Sequence, residues 1–152
     1  MSDLAVRPIQ RADYDGWRPL WDGYNAFYGR AGPTALPEDV TSATWERFFD
    51  PAEPMHANVA VADGKVVGIV HFLFHRNMAR IAPVCYLNDL FTLPEMRGRG
   101  VGRLLIESVY ERARAEGCKR VYWHTKADNV AARKLYDTLA MHEGFIVYTR
   151  DL

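Results

Sequence analysis

The sequence predicts a mixed α/β domain in which helices flank a central sheet. Aromatic residues recur at helical intervals in the first third of the chain, and β-branched runs separated by tight turns fill the middle. The last third alternates between helical and strand-like periods, which is typical of a mixed sheet. The 152 residues correspond to one domain, 1–152, without repeats or a low-complexity linker.

The N-terminal third is predicted to contain one strand followed by two helices. Val6–Ile9 is a short first strand, and Asp13 is suited to cap a helix over residues 14–28. Four aromatic residues of that helix lie four, three and four positions apart and therefore share one face. They are Trp17, Trp21, Tyr24 and Tyr28. Thr41 is predicted to cap a second, shorter helix.

The middle of the chain is predicted to form a meander of three strands. The first two, Asn58–Ala62 and Lys65–Phe74, flank the dipeptide of Asp63 and Gly64. Asp-Gly is a strong signal for a two-residue hairpin, because glycine accepts a positive φ freely. Ala82–Thr92 is the third strand.

The C-terminal third is predicted to alternate between helices and strands. Apolar residues follow helical spacing from Gly100 onward, and Gly117 is placed to end that helix. Lys119–Thr125 reads as a strand, Asn129–Leu139 as a helix and Phe145–Thr149 as the last strand.

The composition excludes several classes of protein. Hydrophobic residues make up 49% and charged residues 25%, as in a globular protein and unlike a disordered chain. The formal net charge of +0 argues against nucleic acid as a partner, and no apolar run approaches the roughly 18 residues of a membrane span. Cys85 and Cys118 form no Cys-x-x-Cys pair, which favours a reducing compartment, the cytoplasm.

The charge is unevenly distributed along the chain. Residues 1–64 contain 5 basic and 10 acidic side chains, net −5, and residues 65–152 contain 14 basic and 9 acidic, net +5. The basic part is suited to an anionic ligand and the acidic part to a cationic one. The alternative interpretation is a chance asymmetry on a solvated surface.

The most informative segment is a glycine-rich turn between a predicted strand and a helix. The turn contains Gly98, Gly100 and Gly102, and its arginines are Arg97, Arg99 and Arg103. Glycine lets the backbone approach a ligand closely, and the first amides of a helix are free to bind phosphate. The segment matches neither the GxGxxG fingerprint nor a P-loop. It therefore binds phosphate in another way or is only a tight turn.

The pattern Arg97-x-x-Gly100-x-Gly102 after a strand resembles the acetyl-CoA loop of the GNAT N-acetyltransferases, written Gln/Arg-x-x-Gly-x-Gly/Ala. The predicted order of elements resembles this superfamily over essentially the whole chain. Residues 86–92 and the helix holding Asn129 and Tyr136 look most like the branch of spermidine/spermine acetyltransferases and yeast-type histone and polyamine acetyltransferases. The resemblance implies a mixed antiparallel and parallel sheet of about six to seven strands, about four helices and splayed central parallel strands.

The resemblance also implies a binding site for acetyl-CoA as co-substrate, without a metal ion. The open edge of Leu90–Thr92 would pair with the pantetheine amides like an added strand. The cofactor-binding residues implied are Leu90, Phe91, Thr92, Arg97, Gly98, Arg99, Gly100, Val101, Gly102, Arg103, Asn129 and Tyr136. Tyr136 matches the position of the acid that protonates the departing thiolate. Without the resemblance, Tyr136 reads as a core aromatic residue.

The base that takes the proton of the amine is not evident from the sequence. Related enzymes often carry Glu at the position of Asn88, and an amide accepts no proton. Asp89 does not simply replace it, because successive strand residues point to opposite faces. Asn88 is expected to orient the amine or a water molecule. The candidates for the distant base are Asp22, Tyr24, Tyr28 and His124, and the acceptor site is expected to comprise Asp22, Tyr24, Tyr28, Tyr86 and Asn88.

These inferences predict an enzyme that transfers the acetyl group of acetyl-CoA to a primary amine: a polyamine, an amino acid or a lysine-like acceptor. The acidic N-terminal part favours a polyamine. Two alternatives stay open, namely a CoA-binding sensor without turnover and a protein lysine acetyltransferase. An acyl-cysteine route through Cys85 and a metal site at His71 and His75 are disfavoured, because neither has the flanking residues such chemistry needs.

The C-terminal segment bears on assembly. Phe145–Thr149 is apolar and is predicted to be an edge strand that is either exposed or paired. Relatives in the suspected branch are often dimers in which this region exchanges or pairs strands. The resemblance therefore implies a homodimer.

Overall fold

The computed structural model describes residues 3–152 and has a mixed sheet at its centre. Its strands lie in sequence order across the sheet, with four antiparallel strands followed by a short parallel one. They are β1 (Ala5–Pro8), β2 (Met55–Ala62), β3 (Lys65–His75), β4 (Val84–Thr92) and β5 (Val121–Tyr122). The α-helices are α1 (Tyr14–Phe27), α2 (Glu38–Arg47), α3 (Val101–Ala115) and α4 (Val130–Leu139). The predicted fold class is confirmed.

The strands carry apolar side chains on both faces of the sheet, so helices cover both faces. Val70 and Phe72 of β3 pack in one core with Leu105 and Val109 of α3. Ile69 of β3 packs in the other core with the tryptophans of α1 and α2. No helix within residues 3–152 is long and apolar enough to cross a membrane.

A glycine brings α1 close to the strand that carries the site residues. A Cβ built on Gly23 would lie 2.8 Å from the ring of Phe91 in β4, so no larger residue fits without displacing that ring. The close approach sets the following residue, Tyr24, against β4, where its hydroxyl oxygen lies 3.5 Å from the carbonyl oxygen of Asn88.

A β-bulge interrupts the pairing of β3 with β4. His71 pairs with Asp89, but the next residue, Phe72, pairs with Leu87, so Asn88 is the extra residue on β4. Strict alternation predicts that the side chains of Asn88 and Asp89 point to opposite faces. The bulge cancels that alternation, and Nδ2 of Asn88 lies 2.7 Å from Oδ1 of Asp89.

The parallel strands separate where the resemblance predicts the splay. β5 pairs with β4 only at Cys85–Val121 and Tyr86–Tyr122. From Leu90 to Thr92, β4 is paired with β3 alone, so its other edge has no strand partner among the described residues. The predicted strand Lys119–Thr125 shrinks to two residues for the same reason.

Several predicted details are wrong. The described chain forms five strands, not six to seven, because Phe145–Thr149 has no strand to pair with and remains irregular. Asp13 accepts hydrogen bonds from Arg7 and from the amide of Gln10, so it does not cap α1 through its side chain. Thr41 lies inside α2, buried, where its hydroxyl accepts a hydrogen bond from Nε1 of Trp21 across 3.0 Å.

Candidate active site

The turn before α3 presents a row of free backbone amides. Gly98 and Gly100 have left-handed backbone conformations, with φ of 76° and 82°, and no side chain caps the helix. Within residues 3–152, no backbone carbonyl accepts a hydrogen bond from the amides of positions 98–103. The space above Gly98 and Gly100 is open, with no atom within 4 Å of an added Cβ. These amides and the positive end of the helix dipole together suit a phosphate.

The arginines of this turn are not equivalent. Arg97 and Arg99 are exposed, and the guanidinium of Arg97 lies 5.4 Å above the ring of Phe91. Arg103 instead donates a hydrogen bond to Oγ1 of Thr138 across 2.8 Å and lies 4.0 Å from Glu107. Arg97 and Arg99 are therefore placed to meet an anion, whereas Arg103 links α3 to α4.

A cleft of about 310 Å³ opens between the end of α1 and the loop before α4. Its lining residues are Phe27, Tyr28, Lys126, Asp128 and Asn129. The cleft thus joins Tyr28, predicted for the acceptor side, with Asn129, predicted for the cofactor side. Nδ2 of Asn129 donates a hydrogen bond to Oγ1 of Thr125 across 3.1 Å, which fixes the side chain at the start of α4.

Tyr136 is half-buried on α4 and packs edge-on against Trp123, with ring centroids 5.4 Å apart. Burial raises the pKa of its phenol, and the neighbouring hydroxyl of Tyr28 raises it further. Tyr136 therefore keeps its proton at neutral pH, as a general acid must before it donates.

The aromatic face predicted for α1 is confirmed as a continuous row. Its successive ring centroids, from Trp17 through Trp21 and Tyr24 to Tyr28, are 5.5, 6.3 and 5.1 Å apart. Exposure rises along the row, from the fully buried Trp17 to Tyr28, which is 38% exposed and lines the cleft. One helix face thus leads from the core to the site.

Most predicted acceptor-side residues come together around this row. Tyr24 reaches Asn88, and the hydroxyl of Tyr86 lies 3.3 Å from Nδ1 of His124. Burial is the largest cause that raises the pKa of Tyr86. The negative charge of Asp89 and the nearby Tyr28 raise this pKa further. Asp22 is not among them, because its Oδ1 lies 3.0 Å from Nε of Arg18.

A buried carboxylate lies behind Asn88. Oδ2 of Asp89 is 2.8 Å from Nδ1 of His71, whose Nε2 is 3.0 Å from Nε1 of Trp17. Burial alone raises the pKa of Asp89, but hydrogen bonds from His71, Tyr24 and Asn88 outweigh it, and the pKa lies below its usual value. Asp89 is therefore ionised at neutral pH.

Comparisons with known proteins agree with this geometry. The profile of the acetyltransferase (GNAT) family matches residues 17–141, which include the turn before α3, the splayed strands and Tyr136. The chain belongs to the acetyltransferase (GNAT) family. Its enzymatic activity is acetyl-CoA-dependent N-acetyl transfer.

Relatives of this GNAT acetyltransferase act on different amines. A D-amino-acid N-acetyltransferase of Saccharomyces cerevisiae is 34% identical over 150 residues, which cover 97% of this chain and 91% of the relative. An aminoglycoside N(6′)-acetyltransferase of Salmonella typhimurium is 27% identical, over 92% of each chain. The structure of an aminoglycoside N-acetyltransferase bound to CoA has the same fold, with a TM-score of 0.82, 23% identity and coverage of 98% of this chain and 95% of the other.

Cys85 and His75 are two further reactive side chains of this GNAT acetyltransferase. Burial raises the pKa of the Cys85 thiol to about 12, so it carries no thiolate at neutral pH and an acyl-cysteine route is unsupported. Nε2 of His75, the last residue of β3, lies 2.7 Å from the hydroxyl of Tyr122. Among the described residues, no group of three or more His, Cys, Asp or Glu side chains is arranged to hold a metal ion.

The residues of this GNAT site that were not predicted to belong to it include Trp17, Phe27, His71, Asp89, Lys126 and Asp128. His71 and Trp17 enter through strand register and helix packing, which the sequence does not specify. Lys126 and Asp128 enter through the cleft, and their position just before a helix that starts near Asn129 was the available signal.

Proposed function

We propose that this GNAT acetyltransferase, taken as one domain over residues 1–152, N-acetylates small amines that also carry a carboxylate, that is, free amino acids. The cleft supports this proposal, because Lys126 lines it together with Tyr28, Asp128 and Asn129. The carboxylate of a free amino acid meets a complementary charge at Lys126 in such a cleft. The acceptor class in the name of the yeast relative agrees with this proposal.

The expected preference for polyamines stays a prediction, and the cleft does not favour it. Five of the ten acidic residues in positions 1–64 lie within 4.0 Å of arginines from the same part of the chain. These are Asp13, Asp22, Glu38, Glu46 and Glu53. The net charge of −5 over residues 1–64 already includes those arginines, but no acidic residue of this part of the chain lines the cleft.

Each part of the acetyl transfer is assigned to a group of the described site. The amine nitrogen attacks the thioester carbonyl carbon, the C–S bond breaks, and the phenol of Tyr136 supplies the proton of the departing thiol. The free amides before α3 and the open edge of Leu90–Thr92 would hold the phosphates and the pantetheine arm. Asn88 orients the amine, whose proton leaves to water, and Tyr136 is reprotonated from solvent.

Lys126→Gln tests the proposed acceptor class. Phenylalanine and phenethylamine differ only in the carboxylate, so both are assayed by thiol release from acetyl-CoA, with D and L forms of the amino acid. We expect the KM for phenylalanine to rise roughly fivefold, the effect of about 1 kcal/mol, and that for phenethylamine to stay unchanged. Lys134→Gln, an exposed lysine on α4, is the matched control.

Two results would contradict the proposal. One is an equal change of KM for both compounds in Lys126→Gln. The other is wild-type turnover confined to spermidine, an aminoglycoside or a lysine peptide in the same assay, which would assign the enzyme to one of the other acceptor classes.

We further propose that a second copy of the chain covers the C-terminal segment 145–149. Its apolar side chains Phe145, Ile146, Val147 and Tyr148 are 63–89% exposed, far more than an isolated chain in water favours. An extended apolar segment gains backbone and side-chain partners by pairing with a strand of another copy.

The cysteines support a location in the cytoplasm. Cys85 and Cys118 are both buried free thiols. Reducing compartments keep thiols in this state, so we propose the cytoplasm as the site of action.

A further inference from the structure

A chain of buried hydrogen bonds runs from α1 through the sheet and ends on Asn88. Trp17, His71 and Asp89 are 0%, 4% and 8% exposed, whereas Asn88 is exposed at the bulge. Buried polar groups are costly unless they are fully hydrogen-bonded, so this arrangement fixes its members tightly.

The indole of Trp17 sets the direction of the chain. An indole N–H only donates, so Nε2 of His71, 3.0 Å away, has to accept. The single ring proton of His71 therefore sits on Nδ1 and is donated to Oδ2 of Asp89 across 2.8 Å. The imidazole is neutral, and the carboxylate of Asp89 keeps its full negative charge.

Asp89 in turn sets the orientation of Asn88. A carboxylate only accepts hydrogen bonds, so the 2.7 Å contact requires the NH₂ group of Asn88 to face Oδ1 of Asp89. The amide is planar, so Oδ1 of Asn88 points away from Asp89. A carboxamide turned the other way would set two acceptor oxygens against each other.

We propose that Asp89 is a positioning residue that, through Asn88, fixes a hydrogen-bond acceptor for the N–H of the incoming amine. This inference rests on the proposed function, in which the acceptor is an amine. A fixed carboxamide oxygen aligns the nitrogen lone pair for attack, and a reversed carboxamide would repel the same N–H. The fixed charge behind it also stabilises the positive charge that develops on nitrogen during attack. Neither Asn88 nor Asp89 takes the proton, which leaves to water.

A double-mutant cycle in the full-length enzyme tests this coupling. Asp89→Asn can donate as well as accept, so it no longer forces the orientation of Asn88. We expect Asp89→Asn and Asn88→Leu each to lower kcat/KM for the amine about 10- to 100-fold, with acetyl-CoA affinity within about twofold. The kcat/KM of the double variant should lie within about twofold of that of the more impaired single variant. Additive losses would show that Asp89 does not act through Asn88 and would overturn the proposal. Asp15→Asn, an exposed Asp on α1, is the matched control.

The tautomer of His71 gives a readout that does not depend on turnover. We expect ¹⁵N NMR of the wild-type protein at neutral pH to show a protonated Nδ1 and an unprotonated Nε2. Trp17→Phe removes the indole donor, so Nε2 is no longer required to accept a hydrogen bond and the ¹⁵N signals of the ring should change. A protonated Nε2 in the wild type would overturn the positioning chain alone. Absence of turnover with every amine would overturn the proposed function and, with it, the role of Asn88.

Discussion

Trp17 and His71 are joined by a hydrogen bond of 3.0 Å between Nε1 and Nε2, which couples α1 to the sheet at the acceptor side of the site. The tryptophan that fills the core is also the donor that makes the histidine neutral. Its substitution therefore affects two properties, packing and proton position.

The turn before α3 is predicted to bind the phosphates of acetyl-CoA. Gly100→Asp adds a negative charge where the free amides converge, so we expect acetyl-CoA affinity to collapse while the fold survives. Gly117→Asp is a close control, because Gly117 has φ of 80° against 82° at Gly100 and open space around it. Calorimetry should show weak binding in the first variant only. Equal affinities of the two variants for acetyl-CoA would show that the phosphates do not bind at this turn.

Tyr136 is predicted to be the general acid. Tyr136→Phe keeps the ring against Trp123 and removes the proton, so kcat should fall by about 10²- to 10⁴-fold with little change in acetyl-CoA affinity. Tyr14→Phe removes a phenol hydroxyl that accepts a hydrogen bond from Arg18, and its kcat should be close to that of the wild type. Steady-state kinetics compares the two. A Tyr136→Phe enzyme with unchanged kcat would mean that the thiolate takes its proton elsewhere.

The ion pair of Asp13 with Arg7 predicts a pH-dependent contribution to stability. The hydrogen bonds from Arg7 lower the pKa of Asp13 in the folded state. Its contribution is therefore present above the unfolded pKa of about 3.9 and is lost as the pH falls through the lower folded value. Asp13→Asn should lower the free energy of unfolding by about 1–2 kcal/mol at pH 7, since Arg7 is partly exposed.

Urea denaturation at several pH values measures this difference. The difference in the free energy of unfolding between Asp13→Asn and the wild type should become smaller below about pH 4. Glu46→Gln, which breaks an exposed ion pair with Arg11, should lower the free energy of unfolding less than Asp13→Asn does. A gap that stays constant down to pH 2 would show that the pair does not carry the effect.

The exposed C-terminal segment predicts a dimer. Ile146→Asp places a charge in the proposed interface, so light scattering should change from twice the 17.4 kDa chain mass to a single chain. Asp151→Asn, a change beyond the segment, should leave the dimer intact. A wild-type protein that is monomeric at micromolar concentration would contradict the proposed second copy.

Much of the fold was predictable, because local patterns determine most of it. The dipeptide of Asp63 and Gly64 predicted the hairpin, and the structure shows φ of 52° and 77° there, as such a tight turn requires. The aromatic spacing of α1 and the glycine-rich turn before α3 were likewise visible in the sequence. The irregular conformation of segment 145–149 was not visible in the sequence, because a strand forms only where another strand offers hydrogen bonds.

The candidate site was predictable where it follows a contiguous motif. Gly100 was predicted from the pattern of the glycine-rich turn, and Asn129 and Tyr136 were predicted from the resemblance of their helix to the family. The relationship between Asn88 and Asp89 was not, because it depends on a bulge in the register between β3 and β4. A one-residue shift changes which side chains share a face, and no residue type in β4 announces it.

The most direct test of the account is the product formed by wild-type enzyme from acetyl-CoA and an amino acid. Mass spectrometry of a reaction with D- or L-phenylalanine should show N-acetylphenylalanine and free CoA in equal amounts, with phenethylamine a poorer acceptor than the preferred enantiomer. Free CoA without an acetylated amino acid, or acetylation of phenethylamine in preference to both enantiomers, would contradict it.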